Sequence, residues 1–354
     1  MRAVISTRCN APWKKKNKRV IDSRLSLALD GGGLVWPDTG RIAVFQPAVN
    51  AALSGVPKER AQIIQGFKPD HDAWVARGYA CAVAVQERYA AAIIALPRAK
   101  GEARALIANA LKSVDGPVVI DGMKTEGVDS ILREMRKRCA VVGPISKAHG
   151  KLFWIERADP VDFSDWDAGP ALTPGGFWTA PGVFSADAVD PASDLLAQVL
   201  PEKLGKKVAD LGAGWGFLSA HVLTRAQIEE VHLVEAGHMA LECARRNVTD
   251  PRAQFHWADA TNWRPAEKMD AVVMNPPFHT SRAADPGLGQ AFMQAASQML
   301  HAQGHLWMVA NRHLPYEATL ATLFARVEEI GTDRRFKLLH ASRPLRKRAS
   351  AGLR

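Results

Sequence analysis

Short apolar runs, each closed by a polar or turn-forming residue, recur along the chain with stretches of helical period between them. This alternation predicts an open α/β sheet, because a strand covered on both faces reads as a continuous apolar run and its crossover needs a helix. The clearest runs are 207–211, 231–235, 254–258, 270–274 and 304–311, with 91–96, 117–121 and 151–155 earlier in the chain. Helical patterns occupy 100–112, 126–136, 217–224, 290–300 and 316–326, and a further helix is expected to begin at Asp190-Pro191, proline being favoured at the first helical position.

The order of these elements repeats. The succession of strand, proline turn, helix and strand over 271–311 recurs over 91–121, and 126–136 and 151–155 then parallel 316–326 and 335–339. The first half reads as a degenerate copy of the second. The expected organisation is a basic tail at 1–24, a degenerate domain at 25–159, a linker at 160–180, a complete domain at 181–342 and a basic tail at 343–354. The linker is placed by Asp159-Pro160, Gly169-Pro170 and Pro174-Gly175-Gly176, which break any periodic pattern. Asp30-Gly31-Gly32-Gly33 precedes Leu34-Val35-Trp36-Pro37 rather than a helical pattern, so a hairpin turn is expected there.

Candidate chemistry lies at the strand ends, where open α/β sheets hold ligands. After 270–274 come Asn275, Pro276, Pro277 and Phe278. The lone pair of a planar exocyclic amine is delocalised into its ring, and two acceptors aimed at its N–H groups help to localise it. Asn275 Oδ1 and the Pro276 carbonyl are candidates for those acceptors. Proline stiffens the segment and removes donors, and Phe278 offers a stacking face. Taken alone, the tetrapeptide could equally be a proline-rich turn after a buried strand. Its neighbours favour a site. Asp210 closes one strand and is followed by Gly212, Ala213, Gly214 and Gly216, where backbone can approach a ligand closely. Glu235 closes the next strand, where a carboxylate would hold a ribose diol, and Asp259 with Ala260 follows the third.

These motifs resemble the class I S-adenosylmethionine-dependent methyltransferases over roughly residues 181–342. The spacing Gly-x-Gly-x-Gly, together with the Asn-Pro-Pro-Phe loop, sets the chain apart from ordinary dinucleotide-binding proteins. The resemblance implies two tandem Rossmann-like methyltransferase domains, the first degenerate and the second complete. It implies S-adenosyl-L-methionine as cofactor, bound by Asp210, Gly212, Ala213, Gly214 and Gly216, with Glu235 on the ribose, Asp259 and Ala260 on the adenine, and Asn275 beside it. Catalysis falls to Asn275, Pro276, Pro277 and Phe278. Residues 181–187, 275–279 and 304–316 are similar to the ribosomal RNA guanine-N2 methyltransferases of the RsmC and RlmG type. That similarity implies transfer to a guanine N2 amine in ribosomal RNA, with the small-subunit 16S RNA preferred over the large-subunit RNA. His279, beside the clamp, and Arg312, on the same rim, are the candidate substrate contacts, against a local hydrogen-bonding histidine and a surface ion pair. Adenine in DNA and glutamine in release factors present the same planar amine, and a non-catalytic RNA-binding assembly factor is the remaining alternative.

The degenerate copy carries Ala95-Leu96-Pro97-Arg98 where the clamp stands and has no counterpart of the glycine motif. It is expected to bind no cofactor and to orient RNA or stabilise its partner domain. Charge refines this picture. The net +10 divides unevenly: residues 1–24 carry eight basic and one acidic side chain, and 334–354 eight basic and none acidic, whereas 160–333 carry 12 basic against 21 acidic. An acidic body suits a cationic sulfonium, so grip on RNA phosphate is expected from the first domain and the basic ends. The run Lys14 to Arg19 is expected to be a solvated tail. The partner expected is ribosomal RNA or a ribosomal subunit assembly intermediate. No apolar run approaches a membrane span, no signal-peptide core opens the chain, and the four cysteines form no Cys-x-x-Cys pair. The expectations are a cytoplasmic protein with reduced thiols, no metal and no membrane partner, for which a monomer is allowed.

Overall fold

The computed structural model describes residues 20–156, 162–277 and 286–346. The first half contains α1 (Val20–Asp30), β1 (Ile42–Phe45), β2 (Ala61–Ile64), α2 (Lys68–Ala76), β3 (Ala80–Ala82), β4 (Ala91–Ala95), α3 (Lys100–Ser113), β5 (Val118–Met123), α4 (Val128–Met135), β6 (Val142–Lys147) and β7 (Gly150–Ile155). A small hairpin of β8 (Ala171–Leu172) and β9 (Trp178–Thr179) follows. The second half contains α5 (Pro191–Val199), β10 (Lys207–Leu211), α6 (Phe217–Val222), β11 (Glu230–Glu235), α7 (His238–Asn247), β12 (Ala253–Trp257), β13 (Met269–Met274), α8 (Pro286–Met299), β14 (Leu300–Asn311), α9 (Tyr316–Leu323), β15 (Phe324–Thr332) and β16 (Phe336–Pro344).

The two seven-stranded sheets have one topology. Their orders are β3-β2-β1-β4-β5-β7-β6 and β12-β11-β10-β13-β14-β16-β15, each with five parallel strands and a final antiparallel pair. Both faces of each sheet are apolar and covered, which is why the central strands read as unbroken hydrophobic runs. Two Rossmann-like sheets are therefore the fold, as the repeated succession of elements implies. Each sheet ends in an antiparallel hairpin, and β15 occupies residues that the periodicity assigns partly to a helix over 316–326. The helix stops at Leu323 because Phe324 turns inward to the core and pairs with Pro344 of β16.

Strand register makes the degeneracy explicit. Asp210 faces Val273 and Leu233, as Val44 faces Ile93 and Ile63. Val44 therefore occupies the place of Asp210, Gln65 that of Glu235 and Ala95 that of Asn275. Gln46 stands for Gly212 and keeps its left-handed backbone, at φ 53° against 74°. Both residues donate N–H to the neighbouring strand, Gln46 to Ile64 O and Gly212 to Val234 O, each at 2.9 Å. The first half retains the loop geometry with neutral side chains.

Three sequence expectations change in the structure. Gly31 to Gly33 do not form a hairpin turn; they end α1, with Gly32 N–H and Leu34 N–H both donating to Ala28 O, because glycine accommodates the left-handed turn that closes a helix. Arg24, assigned to the basic tail, is 1 % exposed and forms a two-point ion pair with Asp121 of β5, at 2.5 and 2.7 Å. The segment expected as a linker at 160–180 is partly core: Phe163 and Trp166 pack into the first domain because both rings are apolar and meet at 5.0 Å. Residues 1–19 and 347–354 of the two basic ends lie outside the described residues.

The halves meet through backbone. Lys68 N–H donates to Ala236 O and His238 N–H to Gly66 O, each at 2.8 Å, while Trp257 Nε1 donates to Ala236 O and Gly66 O. The Lys68 ammonium lies 5.1 Å from the Trp257 ring centroid. The loop after β11 is thus tied to the first domain.

Candidate active site

Asp210 sits at the carboxyl end of β10 and is almost wholly buried. Ser219 Oγ, on α6, donates to its Oδ2 at 2.7 Å, and its Oδ1 has no hydrogen-bond partner among the described residues. Burial pushes the carboxyl up to about 7, with Glu235 adding to the rise and the Ser219 hydrogen bond opposing it. The loop beyond is shaped by glycine. A Cβ at Gly214 (φ 55°) would meet nothing within 4 Å, which leaves open space above the backbone, whereas one at Gly216 (φ 92°) would lie 2.9 Å from Val248 Cγ2. The loop therefore lies against the end of α7 while its crest faces a cradle. Ala213 is buried, and its carbonyl closes the turn by accepting Gly216 N–H.

Glu235 ends β11 and reaches back to that loop. Its Oε2 accepts Gly214 N–H at 2.9 Å and its Oε1 accepts Gly237 N–H at 2.6 Å. Burial raises its pKa and these backbone donors lower it. Each carboxylate oxygen keeps a further acceptor site for a hydroxyl. Asp259 is engaged locally: Oδ1 accepts from Thr261 N–H and Oγ1, and Oδ2 accepts Asn262 Nδ2 at 2.7 Å. The residue after it, Ala260, is buried. Trp215 packs with Phe177 and Phe217, and its Nε1 donates to Phe184 O at 3.1 Å, so it holds the 181–187 segment to the glycine loop.

Asn275 follows β13. Its Nδ2 donates to Asp190 Oδ2 at 2.9 Å and to Ser193 Oγ at 2.8 Å, and Asp190 Oδ2 also accepts Ser193 N–H as the cap of α5. A carboxylate only accepts, so this contact dictates which end of the amide carries the nitrogen. Oδ1 is left as the acceptor, with no donor to it among the described residues. Pro276 is buried and Pro277 exposed, while Phe278 and His279 lie outside the described residues. Arg312 stands past the end of β14, beside β13, with Nη1 on Thr332 Oγ1 and 3.1 Å from Asp333 O. Sequence reasoning read Asp190 only as a helix start and missed its partner: the two residues are 85 positions apart.

The structure thus brings Asp210, the glycine loop, Glu235, Asp259 and Asn275 to one edge of one sheet. The orphaned Asp210 Oδ1, the open space over Gly214 and the remaining acceptor sites of Glu235 fit a cationic nucleoside cofactor. Among the described residues no group of His, Cys, Asp and Glu could hold a metal ion, and no helix is long and apolar enough to cross a membrane. The protein is a class I S-adenosylmethionine-dependent methyltransferase.

Its residues 175–340 match the family model described as methyltransferase small domain. It is 29% identical over 265 residues to ribosomal RNA small subunit methyltransferase C of Shewanella sp. (strain MR-4), covering 72% of this chain and 77% of that one. It is 34% identical over 166 residues to ribosomal RNA large subunit methyltransferase G of Ectopseudomonas mendocina (strain ymp), covering 46% and 44%. Among solved structures, the T. thermophilus 16S rRNA N2 methyltransferase in complex with AdoMet and guanosine superposes with a TM-score of 0.73 at 23% identity, over 91% of this chain and 92% of that chain. This last likeness is one of fold and extends across both halves.

Proposed function

We propose that the enzyme methylates the exocyclic N2 amine of a guanine in ribosomal RNA, with 16S RNA as the preferred substrate. The observation that carries the reading is the fixed amide of Asn275, whose Nδ2 is occupied by Asp190 and Ser193 so that Oδ1 remains to accept. The relatives named for methylation of small- and large-subunit ribosomal RNA support the choice of polymer.

S-adenosylmethionine supplies an electrophilic methyl carbon on a sulfonium. The chain's own work is binding and orientation. Asp210 and Glu235 place acidic groups and the glycine loop places backbone at the cofactor cradle, while Asn275 Oδ1 and the Pro276 carbonyl accept from the amine and draw its lone pair out of conjugation. Orientation of this kind can lower a barrier by several kcal/mol, and by about 7–11 in the best intramolecular cases. No strong base is required, because the amine becomes acidic once alkylated and loses its proton late. A paired guanine must first leave its stack at a cost of a few kcal/mol, so single-stranded or incompletely assembled RNA is the expected form. The first domain, with its neutral strand ends, braces the cofactor loop through Gly66 and Lys68 and helps to orient RNA.

The test is transfer from labelled S-adenosylmethionine to 30S subunits, 50S subunits and naked ribosomal RNA from cells lacking this protein, followed by nucleoside analysis. N2-methylguanosine from 16S RNA is the expected product. Label confined to 23S RNA would reassign the subunit, and label absent from all RNA would overturn the reading in favour of a protein or DNA amine.

A further inference from the structure

Beside the clamp, an open cleft of about 530 Å³ lies between the end of β14 and the β15–β16 turn, lined by Asn311, Arg312, His313, Arg334, Arg335 and Phe336. We propose that this cleft binds a backbone phosphate of the RNA next to the target guanine, with Arg334 and Arg335 as its main cationic groups. The inference rests on the RNA reading above and adds to it the site that grips the polymer.

Placement is the first argument. β13 and β14 are parallel neighbours with Met274 opposite Met308, so both strands deliver their ends to one rim. Asn275 lies level with Val309, and Arg312 is three residues further on, roughly 10 Å beyond it at strand spacing. The cleft therefore lies on the same rim as the position of the reacting amine, within reach of a neighbouring nucleotide.

Charge is the second. Residues 160–333 carry 12 basic against 21 acidic side chains, a balance that repels a polyanion, whereas this cleft is lined by three arginines. Within the cleft the arginines differ. Arg312 is a strut: it contacts Thr332 and Asp333 O, lies 4.0 Å from Glu329 and donates its N–H to Arg335 O. Asp333 accepts Arg335 N–H at 2.7 Å and Phe336 N–H at 2.5 Å, and these donors hold its carboxyl below the usual range. Glu329 thus lies beside Arg312, while the Asp333 carboxylate fixes the turn and faces the charge of Arg335 first and of Arg312 second. Arg334 and Arg335 remain exposed; Arg334 has no hydrogen bond or ion pair with a described residue, and the Arg335 guanidinium lies 5.0 Å from the Phe336 ring centroid, its planar fork suited to a phosphate. The corresponding turn of the first domain, between β6 and β7, consists of Ala148 and His149 and carries no arginine.

The test compares the full-length enzyme with its Arg334→Gln/Arg335→Gln double variant on naked ribosomal RNA over a series of salt concentrations, and on guanosine, which has no phosphate. The expected result is a KM for RNA raised on the order of 10-fold, a salt dependence shallower by about 0.7 (one phosphate contact on a single strand), and unchanged kcat on RNA. Transfer to guanosine and cofactor affinity should not change, which also shows that the variant is folded. An unchanged RNA KM and salt slope overturns the proposal, as does a fall in kcat alone. If the wild-type enzyme methylates no RNA, the RNA reading has failed, and direct binding of a single-stranded oligonucleotide decides the cleft: the same loss of slope supports a phosphate site, and equal binding overturns it.

Discussion

The side-chain amide of Asn275 is anchored by Asp190, Nδ2 to Oδ2 at 2.9 Å, so the residue that caps α5 also decides which way the clamp faces. Without that carboxylate the amide is free to turn, and a turned amide would present donors to an amine that needs acceptors.

Asp190→Ala is therefore expected to lower kcat by roughly 10- to 100-fold while leaving cofactor affinity nearly intact, with about 1 kcal/mol of stability lost with the helix cap. Asp190→Asn keeps an acceptor for both roles and should recover most of the activity. Asn275→Ala should abolish transfer and still bind cofactor. Steady-state kinetics and calorimetric titration on the three variants check this, and a fall in cofactor affinity that matches the loss of kcat would count against the orienting role.

Asp210 gives a pH signature. Its folded pKa, about 7, stands above the ordinary carboxyl value, so its contribution to stability is fully present below the unfolded value and is lost as pH rises through about 7. Between about pH 4 and 7 the stability of the wild type relative to Asp210→Asn should fall by up to ~1.4 kcal/mol per pH unit. Denaturation of both proteins at several pH values measures the difference, and parallel profiles would refute it. Affinity for the cationic cofactor should strengthen over the same rise through pH 7 in the wild type and stay flatter in the variant, as titration calorimetry would read.

Trp257 joins the halves by donating Nε1 to Gly66 O and Ala236 O, beside the loop where Gly237 N–H meets Glu235. Trp257→Phe removes the donor and keeps most of the ring. Leaving those carbonyls with one partner fewer should weaken cofactor binding several-fold, by about 1 kcal/mol, with little change in kcat at saturation. Equal affinities would show that the first domain does not brace the ribose loop.

Arg24 and Asp121 form a buried ion pair that carries no part of the reaction. Removing one partner leaves a buried charge alone, so Arg24→Leu is expected to cost about 3–5 kcal/mol in denaturant unfolding. The double change Arg24→Met/Asp121→Leu should be much milder, because no charge is left unpaired. A single variant as stable as the double one would contradict this account.

The site was legible in the chain to the extent that it is local. Asp210 with its glycines, Glu235, Asp259 and Asn275 each follow an apolar run, and a parallel sheet necessarily brings such ends to one edge. Arg24 was misread because a lysine- and arginine-rich stretch looks the same whether its last member is solvated or buried. The glycines at 31–33 were misread because α1 has few of the signals that mark a helix before a glycine stop.

Period, turn chemistry and strand-end residues were enough to settle the α/β class and the duplication, and to single out the candidate cofactor and clamp motifs, since each rests on interactions between residues close in sequence. The partners of those motifs depended on topology. Asp190 reaches Asn275 across 85 positions, Arg24 reaches Asp121 across 97, and Gly66 meets Trp257 across 191. No local propensity encodes such pairs; they arise when strand order and register bring distant segments within hydrogen-bonding distance, and burial then makes an unpaired polar group too costly to leave.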